Sequence, residues 1–331
     1  MQKTDPRDVV FSPPHVGRLT QTYLQDRCDH KDDVGIPFGL STIDEIMNPM
    51  LPGQLGIWLG RPGHGKTANM MRWARHRARW LQMNGMTNKV VVYATYEQTV
   101  EELSAFHVAG EIGLSITDMA RGNISPENME VIKVNTTHRG SLPLWFIGHS
   151  IERRKTRPRL DVEILDRALK SIEEWEAEGE RGIEIDMVFV DYLQRIPYIG
   201  KPESKVVGTG EILNALKDMT LNFACPFMTG VQAKREVDLY TVPIPTMADG
   251  QWTSEIEQAG DLVMTSVRPV KYCNEGDPFG SIKVKGRNQM WIAVLKQKMG
   301  DSNVGKWVDF DPAYNRLNAM EETSYDLNEM E

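Results

Sequence analysis

The spacing of hydrophobic positions changes several times along the chain, and each change predicts an element. Val16, Leu19 and Tyr23 fall at helical spacing. They predict a short amphipathic helix over 15–27, followed by a polar linker at 29–33. A lone helix ahead of a domain has to bury its apolar side, either on its own domain or on a neighbouring subunit. From Gly35 the pattern becomes regular. Residues 41–47 read as a short helix, and Pro52 and Gly53 as a turn. Apolar runs at 55–59, 90–94, 144–147, 187–190 and 226–231 read as strands. The run at 187–190 is continuous, as expected in the middle of a parallel sheet. Helical stretches lie between them. Residues 68–80 contain no Gly or Pro. Thr99 and Glu102 have capping-box spacing ahead of Leu103 and Phe106. Asp161 is placed to cap a helix carrying Val162, Leu165, Leu169 and Ile172, and Ile212, Leu213, Leu216, Met219 and Phe223 mark another helical face. The last runs, 262–267, 291–296 and 306–310, follow with little helix between them. They predict antiparallel strands at the sheet's far edge. The whole reads as an α/β fold: a central, mostly parallel sheet flanked by helices, with an antiparallel C-terminal edge.

Composition narrows this picture only modestly. The chain has 331 residues and a formal net charge of -8, which suits one large α/β domain with short appendages. We divide it into an arm and helix at 1–34, a main domain at 35–318 and an acidic tail at 319–331 that reads as disordered. The acidic balance argues against a protein coated in positive charge. It leaves room for local Lys and Arg to grip a nucleic-acid strand. Arg153, Arg154, Lys155, Arg157 and Arg159 form a basic cluster, read as solvated charge with nucleic-acid contact as the sharper alternative. Cys28, Cys225 and Cys273 lie far apart without metal-ligand spacing and read as reduced thiols. No apolar run reaches membrane-spanning length and the first residues are polar, so the cytoplasm is the expected location.

The chemistry concentrates at Gly60-Arg61-Pro62-Gly63-His64-Gly65-Lys66-Thr67. This stretch fits G-x-x-x-x-G-K-[ST], the phosphate-binding loop of nucleoside triphosphatases. Its glycines let backbone N–H groups turn inward, Lys66 can reach the β- and γ-phosphates, and the Thr67 hydroxyl can hold Mg²⁺. A predicted strand precedes the loop and a predicted helix starting at Ala68 follows it, which is the context the motif requires. Three further residues stand at predicted strand ends, where side chains of such a sheet point into the site. Asp191 is a candidate metal carboxylate. Glu97 can polarise an attacking water. Gln232 can sense the γ-phosphate.

At this point the chain resembles the C-terminal ATPase domain of the DnaB family of hexameric replicative helicases, within the RecA-like class. The resemblance rests on pieces that occur in order: Gly35 to Asp44, Arg61 to Thr67, Tyr96-Glu97, Asp191-Tyr192-Leu193-Gln194, Gln232, Ile256 to Asp261, and Lys296-Gln297-Lys298-Met299-Gly300. They span residues 15–317 once the N-terminal helix is included. The resemblance implies a RecA-like core using ATP and Mg²⁺. Arg61, Pro62, Gly63, His64, Gly65, Lys66, Thr67 and Ala68 would surround the nucleotide, and Thr67 and Asp191 would hold the metal. Glu97 would be the catalytic base and Gln232 the coupling residue. Lys296 and Lys298 would reach the ATP of the neighbouring subunit, so the site would be complete only in a ring, expected to be a homohexamer. The helix at 15–27 matches the family's linker helix, which docks on the adjacent protomer.

The sequence departs from the family pattern in three places. The finger residue is Lys298 where the family usually has Arg, which keeps the charge and loses the planar fork. The loop that usually reads Arg-Glu-Ser-Gly is Gln251-Trp252-Thr253-Ser254 here, so the DNA-gripping Arg is missing and a Trp has entered. The family's large N-terminal, primase-contacting domain has no counterpart in the sequence, so a loader or primase is expected as a separate protein. The short chain also suggests a phage, plasmid or other mobile-element replication protein working in a host cytoplasm. Single-stranded DNA is the expected partner, met by Lys201, Lys205, Lys234 and Arg235 and by residues 251–254, with little sequence preference and strong salt dependence. Two other readings stay open: a RecA-like recombinase or clock-type ATPase, and a non-helicase adaptor ATPase that has kept the fold.

Overall fold

The computed structural model describes residues 10–29, 34–139, 142–152, 158–175, 182–250, 253–280, 282–320 and 325–326. The chain divides into two compact units, Met1–Ile36 and Pro37–Glu331. The first contains helix α1 (Pro13–Asp29), which extends the predicted helix by about half a turn at each end. Arg27 lies over the Tyr23 ring, 4.3 Å from its centroid.

The second unit begins with the short helix α2 (Ser41–Asp44), and then strands and helices alternate: β1 (Leu55–Gly60), α3 (Lys66–Met83), β2 (Lys89–Thr95), α4 (Val100–Ile112), α5 (Ile116–Ala120), α6 (Pro126–Arg139) and β3 (Leu144–Ile147). The alternation continues with α7 (Val162–Glu173), β4 (Glu184–Asp191), α8 (Lys205–Asn222), β5 (Phe227–Gln232), α9 (Thr253–Ala259) and β6 (Leu262–Val267). The rest is strand: β7 (Pro278–Phe279), β8 (Ile282–Lys283), β9 (Gln289–Gln297), β10 (Val304–Asp311), β11 (Arg316–Ala319) and β12 (Tyr325–Asp326). The expected caps form. Thr99 and Glu102 make the reciprocal capping box of α4, and Asp161 Oδ1 accepts from Ile164 N at 3.0 Å. Each satisfies backbone donors that a helix start leaves over.

Among the described residues the main sheet runs in the order β11-β10-β9-β6-β1-β5-β4-β2-β3, with β12 also on β10. Its strands from β6 to β3 are mutually parallel. The expected α/β fold is therefore present, with one correction. Residues 262–267 were expected among the antiparallel strands, yet β6 runs parallel to β1 and only its other neighbour, β9, is antiparallel. The connection from β5 crosses over through 3-10 turns and the seven-residue α9. A crossover that short leaves little helical periodicity to read. The tail also departs from its expected disorder at Tyr325–Asp326, which pairs with Val304 and Gly305.

Side chains alternate across the sheet and bury both faces. Ile57 of β1 joins Leu165 of α7 and Leu213 of α8 in one core. Trp58, pointing the other way, lies 5.8 Å from the Phe38 ring, and Phe38 meets Trp73 of α3 edge-on at 5.4 Å. Inside this packing, Arg77 of α3 grips Asp186 of β4 through two bonds of 2.7 and 3.0 Å. Both side chains are nearly fully buried, so the pair locks the helix behind the phosphate loop to the strand that ends in Asp191.

Candidate active site

Four adjacent strands end together at one edge of the sheet. Gly60 of β1 pairs with Gln232 of β5, and Thr95 of β2 pairs with Asp191 of β4. Register alone therefore delivers the phosphate loop, Gln232, Asp191 and, two residues past Thr95, Glu97 to the same side. They line a cavity of about 330 Å³ with Pro62, Gly63, Gly65, Lys66, Thr67 and Ala68. The loop closes on positive φ at Gly63 and Gly65. A Cβ at Gly65 would also come within 2.6 Å of Met290 Cε, so glycine is required there both conformationally and sterically. The N-terminus of the 18-residue helix α3 opens at this loop, adding partial positive charge where an anion would sit.

Lys66 Nζ donates to the carbonyls of Gly60 and Arg61 at 2.8 and 3.1 Å. Burial pushes its ammonium down to about 8, against the opposing pull of the Asp191 and Glu97 charges. Burial likewise pushes the Asp191 carboxyl up, countered by Thr67, the Tyr93 hydroxyl and the Lys66 charge. Tyr93 OH donates to Asp191 Oδ2 at 2.9 Å, and its own ionisation is pushed far up by burial, so it remains a donor. Asp191 Oδ1 is buried without a hydrogen-bond partner. A buried carboxylate oxygen left open beside a Thr hydroxyl suits a hard divalent cation. The peptide joining Asp191 to Tyr192 is cis. Gln194, three residues past Asp191, spans to β5: its Oε1 accepts from Gln232 N at 3.2 Å, which fixes the backbone of Gln232 beside the cavity.

Two loop residues expected around the nucleotide turn their side chains elsewhere. Arg61 forks onto Asp238, with its Nη2 2.7 Å from Oδ2, and its Nη1 donates to Ala233 O at 3.1 Å. The Tyr272 hydroxyl donates to the same Asp238 at 2.7 Å. His64 lies beneath the loop. Its Nδ1 accepts from Arg268 N at 3.0 Å and its ring stacks on Tyr272 at 5.3 Å. Burial and the nearby Lys66 and Lys271 charges push His64 down to about 3, so it stays neutral. These contacts brace the loop against the segments after β5 and β6.

Sequence reasoning missed the cavity's other wall: Phe106 of α4, Arg268, Phe310 of β10 and Pro312. The Arg268 guanidinium lies over the Phe310 ring at 5.3 Å, and its Nε has no hydrogen-bond partner. An Arg just past a parallel strand was a usable signal. Phe106 and Phe310 gave none, since aromatic residues at such spacing are ordinarily core.

Lys296 and Lys298 lie at the opposite edge of the sheet. Lys296 Nζ donates to Glu257 O at 2.6 Å, and Lys298 Nζ pairs with Asp261 Oδ1 at 2.6 Å. Asp261 is bonded to Leu55, the first residue of β1, and the phosphate loop opens from Gly60, the last. Five strand steps of about 3.3 Å put the two sites roughly 16 Å apart. Neither lysine reaches its own chain's cavity.

The residues expected to meet DNA fall on two connections. Lys201 and Lys205 are exposed on the loop after β4 and at the start of α8. Lys234 and Arg235 directly follow β5, with Lys234 Nζ donating to Ala248 O at 3.0 Å. Thr253 opens α9, and Ser254 Oγ donates to Glu255 Oε2 at 2.8 Å. Gln251 and Trp252 lie outside the described residues, as does most of the basic cluster at 153–157. No helix among the described residues is long and apolar enough to cross a membrane.

Comparison with known proteins adds to this geometry. A family model described as "DnaB-like helicase C terminal domain" matches residues 35–319. "Replicative DNA helicase DnaB" of Geobacillus stearothermophilus is 26% identical over 286 residues, covering 85% of this chain and 57% of that protein. The protein of the same name from Leifsonia xyli subsp. xyli (strain CTCB07) is 23% identical over 293 residues, covering 88% and 58%. The chain thus spans about half the length of the curated relatives it matches. Among solved structures, one of an isolated "ATPase Domain" superposes with a TM-score of 0.76 at 16% identity, covering 92% of this chain and 99% of that one. "The Structure Of A DnaB-Like Replicative Helicase And Its Interactions With Primase" superposes at 0.74 and 16%, covering 92% and 66%. At these identities the superpositions bear on the fold alone.

Proposed function

This chain belongs to the DnaB-like helicase C-terminal domain family, and from that premise we propose that it is an ATP-driven motor subunit that moves along single-stranded DNA. The observation that carries the reading is the division of its catalytic groups. Lys66, Thr67, Glu97, Asp191 and Gln232 share one cavity. Lys296 and Lys298 stand at the far edge of the same sheet. Two half-sites on opposite edges of one subunit fit head-to-tail assembly, in which the lysines of one copy face the phosphates held by the next. A heterologous interface of this kind closes into a ring, here a hexamer.

In such an interface Lys66 and the loop N–H groups would hold the β- and γ-phosphates. Thr67 and the open Oδ1 of Asp191 would hold Mg²⁺, which when bound neutralises developing phosphate charge. Glu97 would take the proton of the attacking water. Gln232, its backbone fixed by Gln194, would feel the loss of the γ-phosphate and pass it to Lys234 and Arg235 on the strand-facing loop. Lys298 would leave Asp261 to add positive charge in trans. Phe106, Phe310, Pro312 and Arg268 would frame the nucleobase. The apolar stripe of α1 would dock on a neighbouring copy, 35–318 would form the motor domain, and a loader or primase would be a separate partner.

The test measures ATP hydrolysis with and without single-stranded DNA, alongside unwinding of a forked duplex. Stimulation with strand separation is expected. Hydrolysis indifferent to DNA, together with no unwinding, would overturn the proposal.

A further inference from the structure

A second cavity, of about 350 Å³, lies where β9 begins and shares no lining residue with the first. Lys285, Arg287, Gln289, Asp309 and Met320 contribute to its wall. It opens on the other face of the sheet. Met290 points toward the phosphate loop, with its Sδ 3.5 Å from Asn69 Nδ2, so its neighbour Gln289 points away from it.

Gln289 is the reason to regard this cavity as built for a ligand. Only 3% of the residue is exposed. Its Oε1 accepts from the backbone N of Lys285 at 2.8 Å. That bond fixes which end of the amide is which, because the reversed amide would set donor against donor. Nε2 then faces the cavity as a donor without a partner. Buried donors are seldom left unmet, because desolvation is repaid only by an acceptor. Lys285 and Arg287 stand exposed beside it and set a positive field. Across the strand pair from Gln289 is Asp309, whose Oδ2 accepts from Asn318 Nδ2 at 3.3 Å. A ligand here meets donors from Gln289, Lys285 and Arg287 and one acceptor from Asp309.

We propose that this pocket binds a phosphate group carried on a sugar or base, as in a nucleotide, either free or within a nucleic-acid strand. The phosphate would take the Gln289 amide and the two cations. A hydroxyl or amine beside it would meet Asp309. The volume exceeds what a lone carboxylate needs and suits a group of nucleotide size. Only the strand alternative rests on the motor reading given above.

The experiment has two arms, both on the full chain. In the first, Lys66→Ala disables the phosphate loop and binding of a fluorescent ATP is titrated. Residual saturable binding that weakens about tenfold on adding Arg287→Glu identifies a free nucleotide as the ligand. In the second, binding of labelled oligo(dT) is measured across salt. A slope of log affinity against log salt that falls by about 0.7 in Arg287→Ala identifies a strand phosphate. Gln289→Leu should reproduce whichever loss is found. If that variant fails to fold, the exposed change Lys285→Glu serves instead. The proposal is overturned if Lys66→Ala binds no nucleotide and the slope is unchanged. Should the unaltered chain bind no DNA, the motor reading fails and the nucleotide arm alone decides this one.

Discussion

Lys66 should make nucleotide affinity depend on pH in a way its neighbours do not. In the nucleotide-free chain, burial lowers its ammonium from the ordinary lysine value to about 8. Against a reference of about 10.4, that drop corresponds to about 3 kcal/mol disfavouring the charged form. The triphosphate needs the charged form, and its own negative charge drives Lys66 back toward the usual value on binding. Binding is therefore coupled to proton uptake above pH 8. Affinity should be nearly flat below pH 7.5 and then fall toward tenfold for each further pH unit, roughly 30-fold between pH 7 and 9.5. His64 does not contribute, being held neutral well below this window. The same drop has a consequence for folding. The folded value lies below the unfolded one, so the unfolded chain holds more protons between the two. The empty protein should gain stability as pH rises from 8 toward about 10.4. The assay is equilibrium titration of a fluorescent ATP analogue with Mg²⁺ from pH 6.5 to 9.5. Lys66→Arg is the control, since a guanidinium keeps its charge throughout and its profile should be flat. Equal affinity at pH 7 and 9.5 in the unaltered chain would refute the reasoning. A fall complete below pH 7 would assign the effect to another group.

Other expectations follow from the same geometry. Asp186→Ala takes the carboxylate from the buried Arg77 guanidinium and should cost about 3–5 kcal/mol in denaturant unfolding, whereas Asp186→Leu with Arg77→Met should cost much less. Glu97→Gln should lower kcat by about 10²–10⁴ with nucleotide affinity unchanged, read by steady-state hydrolysis beside direct binding. Mixing Glu97→Gln subunits with Lys298→Ala subunits should restore hydrolysis above either alone, because some interfaces then combine an intact half from each; no recovery would exclude action in trans. Asp238→Ala releases the Arg61 fork and should raise the KM for ATP about fivefold, about 1 kcal/mol, with kcat little changed.

Much of the parallel core was legible because burial on both faces leaves a simple trace. The continuous apolar runs of β1, β2 and β4 cannot be mistaken for half-solvated strands. Asp191, Glu97 and Gln232 could be picked out because polar residues just past such runs emerge at the carboxyl edge. Less could be said of β6, whose crossover is too short to carry periodicity. Arg61 and His64 show a different limit. The motif fixes the path of their backbone, but the direction of each side chain depends on Asp238, Tyr272 and Arg268, which lie far away in sequence. Tyr93 and Gln194 are similar: nothing local reveals that one donates to Asp191 and the other holds Gln232.

The sequence by itself determined that the chain builds an α/β sheet around a phosphate loop, because strand, glycine-rich turn and helix are local patterns and the apolar periods are set residue by residue. Only the tertiary structure decided which groups meet. Sheet order and register bring Gly60, Thr95, Asp191 and Gln232 to one edge, and the reversal at β9 carries Lys296 and Lys298 to the other. Strand pairing joins residues distant in the chain, so the separation of the two half-sites has no trace in the local pattern.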